Sequence, residues 1–362
     1  LAEIKDILAR KSYRAPEEAQ GKRFFFPVDP TETGAALGGM AATNASGART
    51  LGYGPMRDWV AGLTVVLADG SITRLRRGSR AEAAAEVSTG GSVRLPLEPD
   101  AAEGPGAAAR YREIPAAAVD IPEGKHSGGY YLRPPFEAVD LFVGSEGTLG
   151  LITELELRLI ELPEGAETLY LMIFLPEDLP LALVASFKEA GSFRPIALEY
   201  MDHRSVDLLE EFRREQGEAS GVPRMPEGTE SLLYVETALA SREDFFRVRK
   251  ELAVIMTENG VSEDRTWAGF SSKTLEAMKK LRHALPERIN SVIAGRKTRF
   301  PELTKIGTDI AVPDRHLEEM TGYSIARIEE EELEFCVFGH IGNGHLHINI
   351  LPRDHKEIER AW

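Results

Sequence analysis

The sequence predicts an α+β protein built from two domains. Its 362 residues exceed the usual size of a single hydrophobic core. From Glu164 onward, strand-like runs alternate with helix-like segments, a pattern typical of helices packed against a partly antiparallel sheet. We therefore expect residues 1–163 and 164–362 to form separate domains.

The first domain is predicted to combine one helix with a small β-structure. AEIKDILAR predicts a helix and GKRFFF a connector. WVAGLTVVLADGSITRL predicts a hairpin, because Asp69–Gly70 is a strong two-residue turn signal. Residues 76–125 show little periodicity and are expected to be irregular or loosely helical, whereas the alternating run ITELELRLI after Gly150 predicts a half-buried strand.

The second domain is predicted as alternating strands and helices, and Ser241 with Asp244 forms a helix-capping pair. The predicted strands are LYLMIFL, IALEYMD, SLLYVETAL, IGTDIAVP, LEFCVFGHI and LHINILP. The predicted helices are LPLALVASFKEAG, RSVDLLEEFRREQ, SREDFFRVRKELAVIMTENG, the stretch around SSKTLEAMKKLRHAL, and residues 314–329.

Charge and cysteine content exclude several classes of protein. A formal net charge of −15 argues against a general nucleic-acid binder, which needs clustered Lys and Arg. The single cysteine, Cys336, excludes an internal disulfide and any four-cysteine zinc or iron–sulfur site. No apolar run is long enough to span a bilayer. These features predict a cytoplasmic protein.

Two segments rich in small residues indicate a nucleotide-type ligand. GGMAATNASG (38–47) and GSEGTLG (144–150) lack bulky side chains, so their backbone N–H groups can approach an anion such as a diphosphate. The alternative is a pair of tight turns that only pack. Neither segment matches the P-loop or the Rossmann fingerprint, which disfavours both of those sites.

The third informative segment is FGHIGNGHLHINILP, which holds His340, His345 and His347. In a strand, His345 and His347 share one face, and a glycine turn brings His340 back beside them. Neutral imidazoles are typical ligands of borderline metals. The alternative is a group of hydrogen-bonded histidines at a strand end; clustering within eight residues favours a metal or catalytic site.

Together these segments resemble the FAD-linked oxidases of the vanillyl-alcohol oxidase type. The resemblance is carried by FPVDPTETGAALGGMAATNASGARTLGYGPMRDWV, LFVGSEGTLGLITELELRL and GHIGNGHLHINI, and it runs in order over nearly the whole chain. The histidine segment resembles the D-2-hydroxyacid dehydrogenase branch, which acts on lactate, glycolate or 2-hydroxyglutarate. The resemblance implies the later part of a PCMH-type FAD-binding domain followed by a ferredoxin-like α+β cap domain.

The resemblance also implies a set of ligand contacts. A divalent metal (Zn, Mn or Fe) is expected on His340 and His347, and the catalytic and substrate-binding residues are expected to be His345, His347, Asn349, Arg282 and Lys305. FAD is expected to contact Gly38, Gly39, Ala42, Thr43, Asn44, Ser46, Gly47, Tyr53, Gly54, Gly144, Ser145, Glu146, Gly147 and Gly150.

The implied reaction is hydride transfer from the carbinol carbon of a D-2-hydroxy acid to flavin N5, with the hydroxyl proton accepted by a histidine. Electrons would pass to a separate acceptor, an iron–sulfur protein, flavoprotein, quinone or cytochrome. The resemblance allows a homodimer or a multi-subunit complex, and attachment to the inner membrane surface as an alternative to a free cytoplasmic protein.

Departures from the family pattern predict that this chain is part of a longer flavoenzyme and has weak or no activity alone. The family's N-terminal pyrophosphate loop would precede Leu1, and its Glu-His-Gly segment would follow Trp362. Gly307 stands where a basic residue is usual, two before Asp309, and His345 stands where Asn is usual. The alternatives are an aryl or ether-lipid member of the superfamily, and a non-catalytic FAD-binding subunit.

Overall fold

Two units make up the described part of the chain in the computed structural model, Leu1–Pro163 and Glu164–Trp362. The described residues are 1–11, 17–30, 32, 34–78, 92–98, 110–115, 122–132 and 137–362. Both units mix helices with antiparallel strands, so the predicted α+β class is confirmed.

Short elements dominate the first unit. Its helices are α1 (Ala2–Ala9), α2 (Leu37–Ala42), α3 (Thr50–Tyr53) and α4 (Ala138–Phe142). Its strands are β1 (Arg23–Phe25), β2 (Val60–Val66), β3 (Ile72–Arg76), β4 (Ser92–Leu97), β5 (Arg110–Pro115), β6 (Leu151–Leu157) and β7 (Ile160–Leu162).

The predicted hairpin is present as β2 and β3, and β6 pairs with the other edge of β2. The turn has three residues, Ala68–Gly70, rather than the two expected, because Leu67 and Ser71 still share a hydrogen bond of 2.8 Å. Gly70 takes a positive φ of 84° there, as a glycine can without strain. Buried Val60, Leu63 and Val65 of β2 pack into the core of this unit.

Two expectations for the first unit were wrong. Strands β4 and β5 pair within the stretch 76–125 that was expected to be irregular or helical, and Val93 and Leu95 bury alternate side chains there. The remainder of that stretch lies partly outside the described residues. The GKRFFF connector also forms a strand, β1, which pairs with β7 and places Phe24 against the core.

The second unit contains most of the regular structure. Its strands are β8 (Glu167–Leu175), β9 (Pro195–Met201), β10 (Ser231–Leu239), β11 (Thr266–Gly269), β12 (Ile306–Gly307), β13 (Ile310–Ala311), β14 (Phe335–His340) and β15 (His345–Ile350). Its helices are α5 (Leu181–Lys188), α6 (His203–Gln216), α7 (Arg242–Glu258), α8 (Ser272–Lys297), α9 (Leu317–Glu330) and α10 (His355–Ala361).

These strands form one antiparallel sheet in the order β11-β8-β10-β9-β14-β15-β12, and β13 also pairs with β15. Helices α6 and α8 supply Leu209, Leu281 and Leu285 to the core on one sheet face, where they meet strand residues such as Met172 and Tyr234. The same face carries the histidines of β14 and β15 at its end.

Helix ends follow the sequence. Ser241 and Asp244 form the expected capping box of α7, and Asp202 caps α6 by accepting a hydrogen bond from Ser205 N. Helix α8 is longer than expected and continues through Pro286, because buried Leu285 and Ile289 anchor it on both sides. The described residues include no helix that is both long and apolar enough to cross a membrane.

The expected strand IGTDIAVP is split into β12 and β13. Thr308, between them, accepts a hydrogen bond from Ile348 N through its side-chain hydroxyl (3.0 Å), and its own N–H donates to Ile348 O (3.0 Å). The side chain thus takes the place of a backbone group in the ladder. This irregularity positions Thr308 and Asp309 beside the histidines of β15.

Candidate functional site

The small-residue segment 38–47 is partly helical, not the open loop that was expected. Residues Leu37–Ala42 form α2, with Met40 and Ala41 buried. None of the glycines in this segment has a positive φ; Asn44 does, at 49°. Asparagine tolerates that conformation better than most residues. The helix forms because its Ala and Met residues favour it.

The two small-residue segments lie side by side. Gly144 N donates to Ala41 O at 2.9 Å, and Glu146 N donates to Ala42 O at 2.8 Å. The side-chain oxygen of Asn44 accepts a hydrogen bond from Arg57 N at 2.9 Å, which fixes the turn after α2. The structure therefore brings both predicted cofactor segments into one surface.

Some of the predicted cofactor glycines are required by packing. A Cβ at Gly47 would lie 1.9 Å from Asp29 O, and one at Gly54 would lie 1.9 Å from a carboxylate oxygen of Asp58. A Cβ at Gly150 would lie 2.7 Å from Val66 O. Steric contacts within the protein are thus sufficient to require glycine at these three positions.

Among the residues that the structure describes, none requires a glycine at Gly38 or Gly39. A Cβ at Gly39 would meet nothing within 4 Å, and one at Gly38 would meet only Ile152 O at 3.9 Å. Each helical glycine costs roughly 0.5–1 kcal/mol relative to alanine. Two adjacent glycines in a helix, with space above them, fit a surface that must stay smooth for a ligand.

The other predicted cofactor residues surround this surface. Gly147 has a positive φ of 76° and open space above it, while Gly144 has a φ of 84°. The Tyr53 ring packs edge-on against Phe25, with centroids 5.6 Å apart. Ala42, Thr43, Ser46 and Glu146 are half-buried or exposed, and Ser145 is buried.

A buried arginine that the sequence reasoning did not single out supports the two segments from below. Arg57 donates to Asp140 O at 2.5 Å and also to Val143 O, just before Gly144. Its guanidinium stacks 4.2 Å from the Tyr131 ring centroid. Burial lowers the pKa of Arg57, while the Asp140 carboxylate opposes that effect. The planar fork of arginine suits this several-fold hydrogen bonding.

The three histidines come together in the second unit. His340 and His345 face each other in the β14–β15 register, and His347 lies two residues along β15 on the same face. The ring centroids are 5.6 Å apart for His340 with either neighbour, and 4.4 Å for His345 with His347. One ligand nitrogen from each ring lies within 4.8 Å of the others.

Each imidazole is held at one ring nitrogen by an oxygen. His340 Nδ1 lies 2.7 Å from Glu199 Oε1, and His345 Nε2 lies 2.7 Å from Asp309 Oδ1. His347 Nδ1 lies 3.2 Å from Thr308 O. Hydrogen bonds of this kind orient histidines that bind metals. The donor set therefore fits a divalent cation.

The remaining predicted catalytic residues lie around the cluster. Arg282 of α8 lies 3.6 Å from Glu199 Oε2, and its guanidinium is 4.9 Å from the Tyr234 ring centroid. Lys305 donates to Asn349 Oδ1 at 2.9 Å, and Asn349 follows His347 on the same strand face. Arg282 thus reaches the cluster through Glu199, whereas Lys305 lies beside Asn349, near the other end of β15 from His345.

The turn between β14 and β15 is fixed from outside the hairpin. Lys188 at the end of α5 donates to Gly342 O at 3.0 Å and pairs with Asp314. Gly344 takes a positive φ of 61°, and a Cβ there would lie 2.0 Å from Val312 O. The backbone therefore determines the separation of His340 and His345.

Glu199 is the main residue of this site that sequence reasoning missed. It is 8% exposed within β9, where every residue is buried. The one carboxylate in the otherwise apolar strand sequence IALEYM was the available signal, because buried charges are kept only when paired. Its pairing with His340 and Arg282 depends on strand order, which the sequence alone does not give.

Two family models match the chain. The model "FAD linked oxidases, C-terminal domain" matches residues 169–362, more than half of the chain, and the model "FAD binding domain" matches residues 12–76. The second match includes α2 and the segment 38–47.

Curated relatives match almost the full length of the chain. A D-lactate dehydrogenase of Anaerostipes hadrus is 28% identical over 345 residues, which are 95% of this chain and 58% of the relative. The glycolate oxidase subunit GlcD of Bacillus subtilis is 25% identical, over 94% of this chain and 58% of the relative. A D-2-hydroxyglutarate dehydrogenase of Stutzerimonas stutzeri is 26% identical, over 93% and 58%. The chain thus spans less than two thirds of these relatives.

Among solved structures, an alkyldihydroxyacetonephosphate synthase matches with a TM-score of 0.56 at 15% identity, over 99% of this chain and 54% of that chain. At this identity the match shows the fold alone.

Proposed function

The chain belongs to the FAD-linked oxidases, and from this membership we propose that it is part of an FAD-dependent enzyme that oxidises a D-2-hydroxy acid of the lactate, glycolate or 2-hydroxyglutarate type. The observation that carries the proposal is the grouping of three histidines on one sheet face. Arg282 is linked to them through Glu199, and Lys305 is hydrogen-bonded to Asn349, which follows His347 on that face. Imidazoles can hydrogen-bond to the hydroxyl of a 2-hydroxy acid, and the cationic side chains can pair with its carboxylate.

FAD, when bound, supplies the hydride acceptor for the substrate's carbinol carbon. The residues proposed to hold it are those of the joined small-residue surface. Gly38 and Gly39 leave α2 without side chains, so a ligand can approach the backbone closely. The hydrogen bonds of Arg57, Gly144 and Glu146 hold that surface in a fixed conformation in the absence of a ligand.

His340 and His347 are the residues proposed to hold a divalent cation, which supplies positive charge beside the substrate hydroxyl and makes its proton easier to remove. Glu199 orients His340, and the Thr308 carbonyl orients His347. A carboxylate hydrogen-bonded to an imidazole also raises its basicity as a ligand.

The substrate carboxylate is proposed to lie near Arg282, whose guanidinium can bind it in a bidentate fashion. Arg282 is already positioned by Glu199 and Tyr234, so little side-chain freedom is lost on binding. Lys305 and Asn349 would add a second cation and an amide. Electrons are proposed to leave to a separate acceptor, because the chain's one cysteine cannot hold a four-cysteine iron–sulfur cluster.

The test is reduction of bound flavin in the purified chain, loaded with FAD and freed of excess cofactor. We expect a D-2-hydroxy acid to bleach the flavin's visible band slowly, in keeping with the weak activity expected of this chain alone. Arg282→Met should weaken that reduction further by raising the substrate concentration needed. Arg247→Met is the matched control, because Arg247 is on α7 and pairs with Asp244 three residues before it. The alternative outcome is a chain that retains flavin, whose flavin is reduced by dithionite but by none of the 2-hydroxy acids. That outcome would favour the non-catalytic FAD-binding subunit.

A further inference from the structure

We infer that His345 is a third metal ligand, so that His340, His345 and His347 together bind one borderline divalent cation, with Zn²⁺ preferred over Mg²⁺ and Ca²⁺. The inference deepens the metal part of the proposed function and rests on it. It assigns His345, expected from the sequence to act on the substrate, to the metal instead.

Proximity is the first argument. Two nitrogens that each lie about 2.1 Å from one zinc ion are at most about 4.2 Å apart. The ligand nitrogens of all three rings already lie within 4.8 Å of one another. Small rotations of the imidazoles therefore suffice to close the set around a single ion.

The backbone enforces this proximity. His345 stands directly opposite His340 in the register, and cross-strand neighbours on one face lie about 4.5–5.5 Å apart at Cβ. His347 follows on the same face of β15. The turn that sets this register is fixed by Gly344, which cannot carry a Cβ beside Val312 O. Leaving His345 out of a site that contains its two neighbours would require its ring to turn away.

The oxygen partners supply the second argument. His345 is held at Nε2 by Asp309, and His340 and His347 are each held at Nδ1 by an oxygen, so all three rings are oriented by a hydrogen bond. His345 is 7% exposed, although Asp309 is mostly exposed. A buried imidazole that is hydrogen-bonded to a carboxylate and lies beside two further imidazoles resembles the carboxylate–histidine–metal arrangement.

The donor chemistry determines the metal. Three neutral imidazoles and no thiolate suit zinc and its borderline neighbours, whereas Mg²⁺ and Ca²⁺ prefer oxygen ligands. Glu199 and Asp309 provide negative charge next to the rings, which offsets part of the charge of the ion. An open fourth position would remain for a substrate oxygen, as in catalytic zinc sites.

The experiment is equilibrium dialysis of the metal-free chain against Zn²⁺ in a competing chelator. We expect one Zn²⁺ per chain, bound at least about 100-fold more weakly by His345→Asn and about 10–100-fold more weakly by Asp309→Asn, the range typical of an outer-shell partner. His316→Asn is the control, because His316 is exposed and lies outside the cluster; its affinity should match that of the unaltered chain.

A second measurement needs no substitution. In the unaltered chain labelled with ¹⁵N-histidine, Zn²⁺ should shift the imidazole resonances of His340, His345 and His347 among the chain's eight histidines. Wild-type zinc affinity in His345→Asn, with shifts at His340 and His347 only, would overturn the inference and leave the two-histidine site standing. If the unaltered chain binds no stoichiometric zinc, both the three-histidine site and the two-histidine site are overturned.

Discussion

At the scale of single residues, the most informative contrast is between glycines that the fold needs and glycines that it does not. Gly47, Gly54 and Gly150 are explained by nearby backbone or side-chain atoms, whereas Gly38 and Gly39 face open space. From the sequence, all five glycines were predicted to contact FAD. The sequence could not separate them, because the atoms that would clash come from distant parts of the chain.

Gly39→Ala should change stability and cofactor affinity in opposite directions. Alanine should raise the free energy of unfolding of the FAD-free chain by about 0.5–1 kcal/mol, because Gly39 is helical and has room for a Cβ. It should weaken FAD binding by about tenfold or more, or about 1.4 kcal/mol. Urea unfolding and FAD titration measure the two effects.

The matched control is Gly322→Ala in α9, which is also helical with open space at the Cβ position. It should raise stability similarly and leave FAD affinity unchanged. If both variants bind FAD equally well, the surface at Gly39 is not a cofactor surface.

At the scale of elements, the sequence predicted well wherever local pattern decides the structure. The β2–β3 hairpin, the capping of α7 and the strands β14 and β15 follow from turn residues and alternation. It failed at β4–β5, whose residues are rich in Pro, Arg and Glu, and at α2, where small residues hid a helix. Both depend on long-range pairing or packing that local propensity does not encode.

The β2–β3 turn allows a prediction about pH. Hydrogen bonds from the Ser71 hydroxyl and backbone lower the pKa of Asp69 to about 2. A carboxylate with a lowered pKa stabilises the folded state above its unfolded pKa of 3.8, and that contribution is lost as the pH falls toward 2. Ser71→Ala should raise the Asp69 pKa, measured by carboxyl-carbon NMR.

Ser71→Thr keeps the hydroxyl and should keep the low pKa of Asp69. An unchanged Asp69 pKa in Ser71→Ala would mean that the backbone N–H of residue 71 and the neighbouring Arg112, not the Ser71 hydroxyl, lower the pKa.

The β14–β15 turn allows a prediction about the histidine cluster. Gly344→Ala forces a Cβ against Val312 O at a φ of 61°, and should lower the free energy of unfolding by more than about 2 kcal/mol. Gly295 in α8 has open space at its Cβ position, so Gly295→Ala should not lower the free energy of unfolding. Urea unfolding of the two variants checks this, and equal stability would show that the turn is not constrained as described.

At the scale of the whole molecule, the two units carry different chemistry. The small-residue surface lies entirely in Leu1–Pro163, and the histidine cluster lies entirely in Glu164–Trp362. The sequence motifs identified both places, because small residues and histidines cluster along the chain. They did not identify Glu199 and Arg57, whose roles arise only from tertiary contacts.

Hydrogen exchange should therefore separate the two ligands. FAD should slow exchange most at the backbone amides of residues 37–47 and 144–150, and Zn²⁺ should slow exchange most at residues 338–349, because bound ligands stabilise the segments that contact them. Mass spectrometry of the chain with each ligand in turn gives the map. Zinc protection centred outside the histidine segment would contradict the assignment of the metal.

The proposed function is hydride transfer from a D-2-hydroxy acid to FAD held by this family's fold. The most direct measurement is anaerobic stopped-flow reduction of the FAD-loaded chain by D-lactate, L-lactate and D-lactate deuterated at the carbinol carbon. We predict that the D-enantiomer reduces the flavin, that the L-enantiomer does so far more slowly, and that deuteration slows the reduction. Equal rates for both enantiomers, or no reduction by either and none by glycolate or D-2-hydroxyglutarate, would contradict the proposed function.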